Sequence, residues 1–231
     1  MKKISVIVSL AMCILIFASS CSINNNNNNT NPQQGNFLIA NISPNSPPLN
    51  VFINGSAFGS GLSYGIYTPY YNTTAGSYAF SFTDSTSANV LNNTVSIAAS
   101  TAYSYFVIDS FSKLKAAFVQ DNIPFPSTDS VYIRFFNFSP DAQPVSLYNS
   151  TSDTTLYSTR FFNDQAGIPG TANFNRIKSG IYTLQLQKSD STVLASKLDT
   201  LVGGHVYTIF AKGFAAGTGA RAVGIGQIQN Y

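Results

Sequence analysis

The stretch Ile133-Arg134-Phe135-Phe136-Asn137-Phe138-Ser139-Pro140 restates an earlier one, Phe37-Leu38-Ile39-Ala40-Asn41-Ile42-Ser43-Pro44, at an offset of 96 residues. The same cadence follows each. Pro48-Leu49-Asn50-Val51-Phe52 comes after the first, and Pro144-Val145-Ser146-Leu147-Tyr148 after the second. Self-similarity at a fixed spacing constrains the chain to two copies of one unit, and the rest of the sequence is organised around that duplication.

Both copies read as strands. In the first, Leu49, Val51 and Ile53 alternate with Asn50, Phe52 and Asn54, a period of two. Asn54-Gly55 is a tight hairpin turn signal. Tyr78, Phe80 and Phe82 alternate again, Val90 to Ile97 continues, and Ala102 to Ile108 is apolar enough to be a central strand buried on both faces. Leu114 to Val119 closes the unit. The second copy keeps the order, with Tyr182, Leu184 and Leu186, then Val193 to Leu201, Val206 to Ala211 and Ala222 to Ile228. It carries extra residues between Arg160 and Arg176, where Gly167, Pro169 and Gly170 mark a longer loop. No stretch of ten residues shows helical periodicity.

Composition agrees. The nine acidic residues are all Asp, which favours turns, and none is Glu, which favours helix. About seven short strands in each unit, separated by turns, predict an all-β protein. It would have two tandem immunoglobulin-like β-sandwich domains after a signal peptide and a flexible tether. The expected boundaries are 36–122 for the first sandwich and 130–231 for the second. Residues 123–129, containing Pro124 and Pro126, form a semi-rigid linker.

The paired Asn-x-Ser-Pro, Pro-φ-x-φ (φ apolar) and later Gly-x-Tyr elements resemble the uncharacterised bacterial family labelled domain of unknown function 4397. The resemblance covers about residues 36 to 228. Asn137-Phe138-Ser139-Pro140-Asp141-Ala142 is the better match, because the first copy has Asn45-Ser46 where Asp141-Ala142 stands. Members are often secreted or lipid-anchored. The family supplies no activity, so the resemblance implies no site.

Met1-Lys2-Lys3, an apolar run from Ile4 to Phe17 and then Ala18-Ser19-Ser20 give the layout of a secretory signal over residues 1–20. Phe17-Ala18-Ser19-Ser20-Cys21 resembles a bacterial lipobox. That resemblance implies a diacylglycerol thioether on Cys21, cleavage before it, and a second, amide-linked acyl chain such as palmitate. Cys21 would be the only Cys left after cleavage, which excludes an internal disulfide. Residues 21–35 include six consecutive Asn, Asn24 to Asn29, and read as a flexible tether. The expected location is the outer membrane of the cell envelope, facing either the periplasm or the surface, with the lipid at Cys21 as the membrane contact. Without Lys2 and Lys3, ten basic residues face nine acidic ones, so the charge gives no reason to expect nucleic acid.

Candidate chemistry is sparse. His205 is the only His and sits beside Gly203-Gly204 at the start of a strand, so a His-based triad or a zinc site has little to build on. The Asp residues occupy turn contexts such as Asp84-Ser85-Thr86 and Asp190-Ser191-Thr192. A calcium site from Asp109, Asp121 and Asp129 lacks regular acidic spacing. Gly213 to Gly219 is Gly-rich, but no helix is expected after it to cradle a phosphate. No metal and no cofactor are therefore expected.

Two patterns remain. Asp followed by Ser or Thr resembles an O-glycosylation motif of exported Bacteroidota proteins, which implies Ser85, Ser130, Thr154, Ser191 and Thr200 as acceptors. The aromatic segment with Tyr64, Tyr67, Tyr70 and Tyr71 is a ligand-binding candidate, since aromatic faces stack on sugars and peptides. The second copy keeps Tyr157, Phe161 and Phe162 at the comparable place, which also suits packing. The expected function is a non-catalytic, lipid-anchored envelope protein, a binding or adhesion module for a glycan or protein. The alternatives are a structural subunit or anchor of a surface assembly and, more remotely, a glycan-acting hydrolase.

Overall fold

The computed structural model describes residues 33–142 and 144–231. The first half holds β1 (Gln34–Asn41), β2 (Leu49–Ile53), β3 (Ser56–Leu62), β4 (Tyr71–Thr74), β5 (Gly76–Thr83), β6 (Asn89–Ile97), β7 (Ala102–Ile108) and β8 (Lys115–Asp121). The second repeats the series as β9 (Ser130–Asn137), β10 (Val145–Asn149), β11 (Thr154–Arg160), β12 (Asn175–Lys178), β13 (Gly180–Gln187), β14 (Val193–Leu201), β15 (Val206–Lys212) and β16 (Gly224–Gln229). The signal, Cys21 and nearly all of the tether lie outside the described residues. Among the described residues no helix is long and apolar enough to cross a membrane.

The sheets bear out the all-β, two-sandwich expectation. The first sandwich packs a β4-β1-β7-β8 sheet against a β3-β2-β5-β6 sheet, and the second packs β12-β9-β15-β16 against β11-β10-β13-β14. Each has eight strands rather than about seven. The extra ones are edge strands. β3, Ser-Ala-Phe-Gly-Ser-Gly-Leu, is largely exposed and carries no alternation to detect. The connectivity also departs from the antibody arrangement, where the first two strands share a sheet. Here β1 pairs in parallel with β7, and β9 with β15.

Alternation on the central strands explains why their sequences are apolar throughout. Phe37 and Ile39 of β1 and Tyr103, Tyr105 and Val107 of β7 face the core of the first sandwich. The opposite faces of the same strands supply Leu38, Ala40, Phe106 and Ile108, which join Phe136, Phe138, Phe210 and Ile228 of the second sandwich in a third core. The described residues thus form a stack of four sheets, whose two inner members are buried on both faces. Phe106 and Phe138 meet across the seam with ring centroids 4.9 Å apart.

Candidate functional site

The Asn-x-Ser-Pro motif is a corner that fastens each sandwich to itself. Asn41 is buried at the end of β1. Its Oδ1 accepts the Ser43 N–H at 3.1 Å, and its Nδ2 donates to the Leu62 carbonyl at 2.9 Å. Asn137 does the same with the Ser139 N–H at 3.0 Å and the Arg160 carbonyl at 3.1 Å. The residue four positions after each Asn ties down the loop after β7 or β15. Asn45 Oδ1 accepts the Phe111 N–H at 2.8 Å. Asp141 accepts the N–H groups of Ala215 and Ala216 at 2.7 and 3.3 Å. The Gly-rich loop from Gly213 therefore does bind an anion, and the anion is the protein's own Asp141.

The seam between the sandwiches holds a closed ring of polar side chains. Arg134, fully buried, donates from Nη2 to Asp121 Oδ1 at 2.5 Å and from Nε to Thr208 Oγ1 at 2.8 Å. The Thr208 hydroxyl donates to Asn230 Oδ1 at 2.6 Å, Asn230 Nδ2 to the Tyr70 hydroxyl at 2.8 Å, and Tyr70 to Asp121 Oδ2 at 2.6 Å. Ser104 donates to the same Asp121 oxygen at 2.8 Å. The guanidinium also lies over the rings of Phe174 and Phe136, at 4.4 and 4.9 Å. Burial, followed by the Asp121 charge and its hydrogen bond, pushes the Tyr70 phenol pKa well up.

Strand register makes Leu38, Tyr70, Ser104 and Asp121 of the first sandwich the counterparts of Arg134, Phe174, Thr208 and Asn230 of the second. The two halves meet through equivalent faces, as subunits of a symmetric dimer do. One Leu-to-Arg difference and one Asn-to-Asp difference make that interface an ion pair. Lysines repeat the theme at its margins: Lys212 Nζ lies 5.1 Å from the Tyr64 ring centroid, and Lys115 Nζ 5.4 Å from that of Phe162. The loop between β11 and β12, longer than its counterpart, packs its 3-10 turn (Asp164–Ala166) on β8. Arg160 anchors that turn through bonds of 2.7 and 2.6 Å to the Asp164 carboxylate.

The four tyrosines take separate roles. Tyr70 belongs to the ring at the seam. Tyr64 lies under Lys212 with its hydroxyl buried and unpartnered among the described residues, and burial pushes its pKa to about 12. Tyr67 is exposed while its backbone bridges to Ala40. Tyr71 is exposed on one side and meets Phe58 edge-on at 4.7 Å, lining a slot of about 240 Å³ with Phe37 and Tyr78. They do not form one patch.

Of the Asp-Ser/Thr positions, Ser85, Thr154, Ser191 and Thr200 are exposed. Ser130 is only 2% exposed and shares a hydrogen bond with Ser127, so the folded state does not offer it to a transferase, and it drops out as an acceptor. Asp84 accepts the Thr86 hydroxyl and N–H at 2.6 and 2.8 Å, and the hydroxyl is the main reason its carboxyl pKa falls. Asp190 caps a similar turn through the Thr192 N–H. Asp109, Asp121 and Asp129 turn to different partners, Lys115, Arg134 and Arg176, and no group of three metal-ligating residues forms among the described residues. His205 Nδ1 lies 3.1 Å from the Tyr231 carbonyl and 3.0 Å from Gln229 Nε2.

Sequence reasoning weighed Asp121 only as a calcium ligand and missed its pairing with Arg134. The signal was available: Arg134 is the one charge in an apolar run whose other copy reads Leu38. A cleft of about 640 Å³ opens where β1, β7 and β8 of the first sandwich meet the linker.

Fold and seam together define an all-β protein of two face-to-face sandwiches. Residues 35–148 match the family described as Domain of unknown function (DUF4397). The match takes in nearly all of the first sandwich, the linker and the Asn-x-Ser-Pro corner of the second. No curated protein matches the chain.

Proposed function

We propose that this chain is a non-catalytic binding or adhesion module, carried at the outer membrane of the cell envelope by lipid on Cys21. Its second sandwich is a further copy of the domain matched by the first. The observation that supports this reading is how the buried charges are used. Arg134 with Asp121 and Arg160 with Asp164 join structural elements, and Asp109 is paired with Lys115. A body whose buried charges are spent on internal pairs, placed on a tether, suits presentation of a binding surface better than acid–base chemistry. Metabolic labelling of the native host with an alkyne fatty acid tests the anchor. The wild-type chain takes the label and sediments with membranes. Cys21→Ser removes both properties, and a Cys21→Ser chain that still carries label contradicts the reading.

A structural subunit is the second reading. β6 and β14, nine residues each, both lie at sheet edges and offer long backbones for strand addition. Concentration-dependent assembly that a Pro in β14 abolishes favours it. A monomer at all concentrations counts against it.

A further inference from the structure

We propose that the cleft at the linker end of the first sandwich is a subsite for a neutral saccharide chain. The proposal deepens the binding reading above and rests on it. At about 640 Å³ the cleft is of ligand size. Five amide side chains line it: Gln34 and Asn36 of β1, Asn72 of β4, Gln120 of β8, and Asn122. An amide presents acceptor and donor together, as the neighbouring hydroxyls of a sugar do. Gln120 Nε2 donates to Asn122 Oδ1 at 2.7 Å, so that pair turns the Gln120 oxygen and the Asn122 NH2 to a ligand, while Gln34, Asn36 and Asn72 present both groups.

The lining has no free charge. Asp121 borders the cleft, but its oxygens are taken by Arg134, Tyr70 and Ser104. A charged ligand would lose hydration and find no counter-ion. At the rim stands Phe125, 90% exposed, between Pro124 and Pro126. Proline on both sides stiffens that segment and holds the bare ring outward. Such a ring offers the flat apolar surface that a pyranose face covers.

The second sandwich serves as an internal control. Ser130, Tyr132, Arg176 and Tyr231 stand where Gln34, Asn36, Asn72 and Asn122 stand in the first. The same strand order forms with those residues, so the amides are not a requirement of the fold.

The test is calorimetric titration of the chain, residues 21–231, with maltohexaose, chitohexaose and hexagalacturonate. Phe125→Ala and Asn122→Ala variants are titrated alongside, each with its urea midpoint. The expected result is binding of at least one neutral hexaose, weakened by about tenfold or more in Phe125→Ala at an unchanged midpoint. Hexagalacturonate binds more weakly than the neutral chains. The proposal is overturned if neither neutral hexaose binds, if binding survives both variants unchanged, or if the acidic chain is preferred. None of these outcomes alters the Cys21 labelling result, so failure of the saccharide assignment is distinguishable from failure of the anchored-module reading.

Discussion

Arg134 and Asp121 lie 2.5 Å apart, each with a fully buried side chain, and they belong to different sandwiches. Two charges removed from water this completely are costly unless their remaining hydrogen-bonding groups are satisfied. Here Thr208, Ser104 and Tyr70 supply partners, and two aromatic faces enclose the guanidinium. The ring fixes how the sandwiches meet, where apolar faces alone would permit sliding. It converts a duplicated chain into one body.

The corner asparagines should be equivalent in cost. Asn41→Ala and Asn137→Ala each leave a buried N–H and a buried carbonyl without their partner. We expect a loss of about 1–3 kcal/mol from each, read as urea midpoints at constant slope. A neutral effect at either position would show that the motif does not fasten the corner.

Gly203 supports the start of the second sandwich. A Cβ there would come 1.8 Å from the Thr128 carbonyl oxygen at the end of the linker. Gly203→Ala should therefore destabilise by about 1–3 kcal/mol, the usual range for overpacking. Gly59→Ala, where a Cβ meets nothing within 4 Å, should lie within about 0.5 kcal/mol of wild type. Equal melting temperatures for the two variants would refute the close approach.

Alkali should open the seam. Tyr70 has its pKa raised above the ordinary phenol value of 10.0, so its neutral form is the one the fold favours. The stability it contributes is complete below about pH 10 and is lost as pH rises through the folded pKa. Tyr157, pushed up to about 12 chiefly by burial, adds in the same sense. Unfolding free energy measured from pH 8 to 12 should fall above pH 10, and Tyr70→Phe should make that fall shallower. An unchanged slope in Tyr70→Phe would remove Tyr70 from the account.

The central strands were readable because burial on both faces leaves a run of apolar residues, as in Tyr103 to Ile108. Asn54-Gly55 likewise marked its hairpin, with both residues at positive φ. β3 and β12 were not readable, because edge strands bury little and carry no period. The aromatic segment is a candidate in the sequence because its tyrosines cluster there, and their separate destinations are not legible from spacing. Tyr64, Tyr70 and Tyr71 are close in sequence, yet the loop sends one to a lysine, one to the seam and one to a slot. The linker was read as a spacer, and its Phe125 drew no notice, since exposure of a single ring leaves no sequence pattern.

The most direct test of the clamped body is a double-mutant cycle on the seam pair. Arg134→Leu and Asp121→Asn each install the residue that the other half carries at the equivalent position. Equilibrium unfolding in urea should show each single variant losing about 3–5 kcal/mol, because each strands a buried charge. The double variant should lose less than the sum by about 2 kcal/mol or more. Losses that add to within about 0.5 kcal/mol would contradict the account, since residues that do not interact behave that way.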